Sequence, residues 1–350
     1  MLLKPRKKVF TMNEIAAACQ VSLSTVYRIL RDPEKATNPI RLQVRGLLIQ
    51  NGYLQGFEHK GRLKILNVTL PGNYFHISAM FFELEKVCVN RGIDLVLCNY
   101  HQLDSILRTT DAAGLIYNIS VSDFPDMPLV VARPGYSTAK CTSVAEDDVG
   151  GLTLLFAKLK EFGHRRIFYF SPNCFQAELC FPDRFLPEKA RGFYTLNGLP
   201  YDESLVCHRT ITTETHEKVM KEVVNYYLSL KPRPTAVVVS GDVYAPPFYR
   251  HLRAAGLRIP EDVSIAGFDD MCRYRHFIDM KVDGAALSEV LKLTPPLTTM
   301  DLPLEDIAST AVDLLLEQIE NPFARRRKVV LQPDLVITNS ITKVKGEKEK

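Results

Sequence analysis

The sequence predicts an α/β protein: a small amino-terminal helix-turn-helix domain, then two lobes of parallel sheet flanked by helices. Three observations carry this reading. Residues 1–64 hold twelve Lys/Arg against four Asp/Glu, a balance of +8, whereas the remainder holds 32 against 36, a balance of −4. Within residues 9–57, short apolar stripes follow strong helix caps. From residue 64 onward, short apolar strands alternate with amphipathic helices, and such alternation means parallel sheets covered on both faces.

A chain of 350 residues is too long for one ordinary core and suits several domains. Its 46% hydrophobic and 24% charged residues exclude a disordered chain. No apolar run approaches the ~18–20 residues that span a bilayer. The basic Met1–Lys8 stretch leads into Thr11-Met12-Asn13-Glu14 with no apolar signal segment. A cytoplasmic protein with no membrane partner is therefore expected. The eight cysteines, at 19, 88, 98, 141, 174, 180, 207 and 272, form no Cys-x-x-Cys pair and have no zinc-ligand spacing. They read as small buried side chains in a reducing compartment, and no metal or cofactor is expected.

Thr11 and Glu14 have capping-box spacing, so a helix should begin there and carry Ile15, Ala16 and Cys19 inward. After a turn at Cys19-Gln20-Val21, Ser22 caps a second helix. Its Val26, Ile29 and Leu30 share one face, and Leu23, Ser24, Tyr27 and Arg28 project elsewhere. Asp32-Pro33 ends it, Asn38 caps a third helix with Pro39 at its first position, and Asn51-Gly52 stops that one. Such a module can lay its second helix in a DNA major groove, with Arg28 a two-pronged donor to guanine. A structural three-helix bundle without a ligand is the alternative, and the basic surplus favours DNA.

Thr11-Met12-Asn13-Glu14-Ile15-Ala16, Val21 through Leu30, and the helix ending Asn51-Gly52-Tyr53 resemble the DNA-binding domain of LacI/GalR repressors. The resemblance implies that Leu23, Ser24 and Arg28 face bases. It also implies that Ser22, Thr25 and Tyr27, with Thr11 and Asn38, lie in the surrounding contact surface. The family prefers glycine where Gln20 stands, so Gln20 should carry a modest left-handed penalty.

In the body, strands are expected at Lys64–Leu70, Ile93–Cys98, Gly114–Tyr117, Pro128–Ala132, Ile167–Phe170, Ala236–Val239 and Val263–Ala266. Helices are expected with Met80, Phe81, Leu84 and Val87 inward, from about Gly151 to Phe162, and near Phe248–Ala255. Four further motifs resemble the same family: Gly163-His164-Arg165-Arg166-Ile167, Lys231 through Val237, Ala255 through Ser264 with Gly267-Phe268-Asp269-Asp270, and Thr294 through Thr299. The resemblance implies a core like periplasmic sugar-binding proteins, with two lobes, three chain crossings and an effector in the cleft. The expected division is 9–57 for the DNA-binding domain, 58–63 for a linker, and 64–340 for the core, with 341–350 a mobile tail. Lobe one would comprise about 64–165 and 299–322, and lobe two about 166–298 and 323–340.

Carried over by position, the effector-binding candidates are Asn73, Phe75, Arg133, Lys189, Asp242 and Asp269, with Ile211 near an apolar wall. Arg133 stands where sugar-binding members often have aspartate, Lys189 replaces arginine, Gly241 asparagine, and Leu302 glutamine. The pocket would thus gain positive charge, making a sugar-acid effector an option beside a sugar. The alternative is a site that binds nothing, with Arg133 paired to Asp269 or Asp242.

The linker lacks the family's Asn-x-x-Ala-Arg-x-Leu hinge. Phe57 or Leu63 is left as a candidate wedge, and Lys60, Arg62 and Lys64 as phosphate trackers. Cys272–Leu293 is an insertion, with a short helix at Ala285–Leu293 and a basic Arg273–His276 cluster expected either to cap the cleft or to pack on the core. The expected function is a sequence-specific DNA-binding transcriptional regulator, a repressor type, bound to a double-stranded operator and modulated by a carbohydrate-like effector. Homodimerisation is expected because one short helix reads few base pairs. Apolar stripes at Met80–Val87 and Ile307–Ile319 are available for a partner or for the core. A solute-binding protein, or a regulator that has lost its effector, are the alternatives. No nucleophile–base set, metal set or phosphate loop suggests an enzyme.

Overall fold

The computed structural model describes residues 10–32, 39–51, 53, 63–69, 75–119, 124–133, 141–174, 187–212, 215–278, 284–321 and 323–344. Asn38, Asn73, Phe57 and the linker before Leu63 lie outside them, as do residues 345–350.

The amino-terminal module contains α1 (Met12–Ala18), α2 (Leu23–Arg31) and α3 (Pro39–Gln50). Thr11 and Glu14 form the complete capping box, and the Ser22 hydroxyl accepts from the Thr25 N–H at 3.3 Å. Val26 and Ile29 of α2 meet Ile15 and Ala16 of α1 and Val44, Leu47 and Leu48 of α3 in a core of their own. The module's entry is fixed by Asn51, whose side-chain oxygen accepts from the Phe10 N–H at 2.7 Å. Gln20 has φ +53, so the turn keeps the left-handed backbone without the glycine that suits it.

Lobe one is built on a sheet whose described strands are β1 (Lys64–Thr69), β2 (Asp94–Asn99), β3 (Gly114–Tyr117), β4 (Leu129–Ala132), β5 (Thr142–Glu146) and β11 (Lys328–Leu331). All their pairings are parallel, in the order β11-β5-β4-β3-β1-β2. One face is covered by α4 (Phe75–Asn90) and α11 (Leu304–Glu320), whose Met80, Leu84, Ile307, Ala311 and Leu315 are buried. A separate cluster around Leu66, Val68, Leu103, Leu115 and Val131 fills the other face, under α5 (Leu103–Thr109).

Lobe two carries β6 (Ile167–Cys174), β7 (Val206–Ile211), β8 (Ala236–Val239) and β9 (Ser264–Ala266), parallel in the order β7-β6-β8-β9. On one side lie α6 (Asp148–Glu161) and α7 (Pro187–Leu196), where Phe156 meets Tyr169, Phe193 and Tyr194. On the other, α8 (His216–Ser229) and α9 (Ala245–Ala254) place Tyr227 and Phe248 against Phe168. α10 (Gly284–Leu291) packs beside α9.

The lobe boundaries differ from those expected. Leu152, Leu155, Phe156 and Leu159 bury α6 in lobe two, so the first crossing falls between β5 and α6 near residue 147, not near 165. The second crossing is β10 (Thr299–Asp301), which pairs antiparallel with β12 (Asp334–Val336). β11 belongs to lobe one, so the third crossing follows residue 331, and the expected assignment of 323–340 to lobe two fails for that strand. The segment from Ile341 to Val344 is docked, not a mobile tail. Ile341 is buried, the Thr342 N–H donates to Ser264, and the Val344 N–H donates to the Phe162 carbonyl. The stripes at Met80–Val87 and Ile307–Ile319 are spent on this core, because α4 and α11 pack on each other.

His164 holds the carboxyl-terminal segment. Its Nδ1 lies 2.8 Å from Thr235 Oγ1 and its Nε2 3.1 Å from the Thr342 carbonyl. Burial pushes its pKa down to about 4. The native state therefore binds fewer protons than the unfolded chain between that value and the ordinary one near 6.5. This contribution to stability should be present above about pH 6.5 and fade as pH falls toward 4. Chemical denaturation across that window should show a smaller acid loss for His164→Gln than for the wild type. In the module, Gln20→Gly should stabilise by about 0.5–1 kcal/mol by removing the left-handed penalty, read from amide exchange of Val26 and Ile29.

Candidate nucleic-acid interface and effector cleft

The first site is the solvent face of α2. With Val26 and Ile29 inward, a 3.6-residue period turns Leu23, Ser24, Tyr27 and Arg28 outward, and all four are exposed. Leu23 and Tyr27 are 37% and 51% exposed, large values for apolar side chains on a small module that has a core available. At the amino-terminal end, the Ser22 hydroxyl lies 2.8 Å from that of Ser24 and 3.0 Å from that of Thr25. These hydroxyls and the first-turn N–H groups form a donor-rich end suited to a phosphate, and Arg28 and Arg31 add positive charge one to two turns further on. Thr11 is exposed, but its hydroxyl is engaged by Glu14 in the cap.

The second site lies where the carboxyl ends of the lobe sheets face the crossings. Backbone conformation marks it: among described non-glycine residues, φ is positive at Gln20, Arg133, Asp269 and Asp270, and three of these lie here. Arg133 follows β4, but its charge is already answered. Its Nε lies 3.0 Å from both Glu146 oxygens and its Nη2 2.6 Å from Oε1. The pair is buried, with side-chain exposures of 11% and 2%. The expected gain of positive charge at this position is therefore cancelled. The bidentate partner is Glu146 at the end of β5, a residue the expected pairing with Asp269 or Asp242 did not include. Sequence reasoning missed Glu146 because the strand that presents it, Thr142–Glu146, has no clear apolar alternation.

Asp242 is buried, just beyond β8. Its Oδ1 accepts from the Thr299 hydroxyl at 2.7 Å and its Oδ2 from the Met271 N–H at 3.0 Å. A Cβ on Gly267 would stand 2.2 Å from Oδ1, so glycine there is what lets the carboxylate in. Asp242 thus serves as a tie between β8, β10 and the segment after β9. Burial, then the neighbouring Asp269, hold its pKa well above the ordinary value. The Asp269 carboxylate leans toward Gly241, 3.2 Å from where a Cβ would be, which gives a physical reason for glycine in place of asparagine. Its backbone N–H donates to the Met300 carbonyl.

Ile211 ends β7 and is nearly buried, Lys189 sits half-buried in the first turn of α7, and Leu302 is buried beside β10. Phe75 opens α4 but offers little open ring face. Tyr274 lies edge-on at 5.7 Å and Phe277 at 6.1 Å between centroids. Both come from the expected insertion, where the 3₁₀ segment Met271–Ile278 precedes α10. In this segment Tyr274 and Phe277 are the packed residues, whereas Arg273, Arg275 and His276 stay exposed, with Arg273 paired to Asp301. Among described residues, no group of three His, Cys, Asp or Glu side chains is placed to hold a metal.

Two consequences are measurable. Arg133→Ala strands a buried carboxylate and should cost about 3–5 kcal/mol in denaturant unfolding, whereas Arg133→Met with Glu146→Leu should recover most of that loss. A carboxyl group whose folded pKa is raised holds its proton in the native state at pH values where the unfolded chain has lost it. Asp242 therefore lowers stability as pH rises above the unfolded value near 4. Asp242→Asn should flatten that decline and leave the Asp270 and Asp301 contributions, whose pKa values burial also raises.

The profile of the periplasmic binding protein-like domain family matches residues 156–277 and 282–341. The chain is 26% identical to the ribose operon repressor of Haemophilus influenzae over 96% of its own length and 99% of that protein's. It is 25% identical to the transcriptional repressor PurR of Vibrio parahaemolyticus over 95% and 99%. Among solved structures, the transcriptional regulator CelR–cellobiose complex shares the fold with a TM-score of 0.61 and 22% identity, covering 95% of this chain and 99% of that one. With a capped helix-turn-helix module ahead of a two-lobed core that matches this profile over more than half the chain, the protein belongs to the periplasmic-binding-protein-like family, in its LacI-type class of transcriptional regulators.

Proposed function

We propose that the protein is a sequence-specific DNA-binding repressor that acts in the cytoplasm as a homodimer, its operator affinity set by a small neutral sugar-like effector. The observation that carries the reading is the α2 face. A separately cored module exposes Leu23, Ser24, Tyr27 and Arg28 together. The repressor names of the relatives support it. No described helix is long and apolar enough to cross a membrane.

The chemistry of the cleft favours a neutral ligand. Arg133 is matched by Glu146, and Asp242, which burial keeps protonated more readily, is matched to Thr299 and Met271. A polyol can exchange hydrogen bonds with such groups without leaving a charge unpaired. The dimer surface is proposed at the outer edge of lobe one, where Val89, Val96 and Leu97 are exposed on α4 and on the edge strand β2. Effector binding would act by favouring one lobe arrangement over another, and so altering the spacing of the two α2 helices.

Fluorescence anisotropy of the full chain on upstream DNA tests the first part. Specific binding should weaken steeply with salt, and Arg28→Ala should reduce it by about 10- to 100-fold while non-specific binding changes little. Binding that ignores sequence and salt would refute the reading. A thermal-shift screen tests the second part: neutral pentoses, hexoses or disaccharides should raise the melting temperature more than the corresponding sugar acids.

A further inference from the structure

The insertion after β9 reaches across to lobe one, and two of its side chains, Tyr274 and Phe277, are as buried as the core. Its base is fixed in lobe two, where the Met271 N–H donates to Asp242 and α10 packs against α9 and the Asp242–Tyr244 turn. Its tip lies on α4 of lobe one. The Tyr274 hydroxyl donates to Glu83 Oε1 at 3.3 Å, and Phe277 stands edge-on to Phe82 at 5.6 Å. His276 lies 5.0 Å from the same Phe82 ring, and Tyr274 and Phe277 both contact Phe75. Tyr274, Phe277, Phe75 and Glu83 are each 4% exposed or less.

We infer that Tyr274 and Phe277 form an intramolecular latch that joins the lobes across the mouth of the cleft and holds them closed in the unliganded protein. Three features point the same way. The contacts run between residues more than 190 positions apart on different lobes, so they form only when the lobes are together. Glu83 is a buried carboxylate on α4 that accepts hydrogen bonds from Lys86 on its own helix and from Tyr274 of the other lobe. Opening would therefore cost it one of these hydrogen bonds. The rings against Phe75 come from the lobe-two insertion, so the aromatic contact itself bridges the lobes. The latch is read from packing alone and stands whether or not the chain binds DNA or a sugar.

The test uses the full-length protein with neither DNA nor sugar added. Amide exchange of α4 (Phe75–Asn90) and β8 (Ala236–Val239) would be followed together with small-angle scattering, comparing the wild type with Tyr274→Ala/Phe277→Ala. The double variant should show about tenfold faster exchange at the start of α4 and a larger radius of gyration, with β8 unchanged. An unchanged radius, with faster exchange confined to Met271–Ile278, would overturn the latch and leave the insertion as surface packing. If the double variant loses cooperative unfolding, Tyr274→Phe and Phe277→Leu decide by the same two criteria. They keep the aromatic or apolar volume and remove only the hydroxyl or the ring contact.

Discussion

One buried carboxylate, Asp242, holds three parts of the chain in register. Among the described residues the two parallel-sheet lobes share no strand ladder, so their relation depends on what happens at the crossings. Asp242 takes the Thr299 hydroxyl from the crossing strand β10 and the Met271 N–H from the segment leaving β9, and its own N–H donates to the Phe268 carbonyl. The glycine at 267 and the left-handed backbone at Asp269 and Asp270 follow from that arrangement, because the chain must turn tightly around the acid. A buried acid is costly unless its oxygens are bonded. Here the bonded state is also the state in which β10 and the insertion are correctly placed.

Several charged groups around the crossings are paired within the protein. The arginine that would have made the cleft electropositive is consumed by Glu146, and the basic residue Arg273 of the insertion is paired with Asp301. Glu83 is met by Lys86 and by Tyr274. Ion pairs of this kind contribute little net stability compared with apolar packing, but they penalise every arrangement in which one partner is left alone. They therefore specify geometry, which is what a two-lobed regulator needs if small ligands are to shift its balance.

Local interactions were legible. The Thr11–Glu14 capping box, the Ser22 cap and the outward face of α2 are each encoded within a few residues, and each is where spacing placed it. So are β3 and β8, whose bounds match those expected. The fate of Arg133 was not legible, because Glu146 sits on a strand of mixed polarity. Nor was that of Met80–Val87 and Ile307–Ile319, because a stripe alone does not say which surface it meets. The crossings were misplaced for the same reason: α6 is amphipathic in either lobe, and only Tyr169, Phe193 and Tyr194 decide which.

The sequence by itself therefore determined the α/β class, the separate basic module and the face of α2 that is left to solvent. Helix periodicity and hydrogen-bonded caps act over three or four residues, so their signals are complete within the local sequence. Tertiary structure alone decided where the chain changes lobes, which charges cancel, and that Tyr274 meets Glu83. Those outcomes depend on which buried surfaces and polar atoms find each other across nearly two hundred residues. The low-dielectric interior rewards only the complete match.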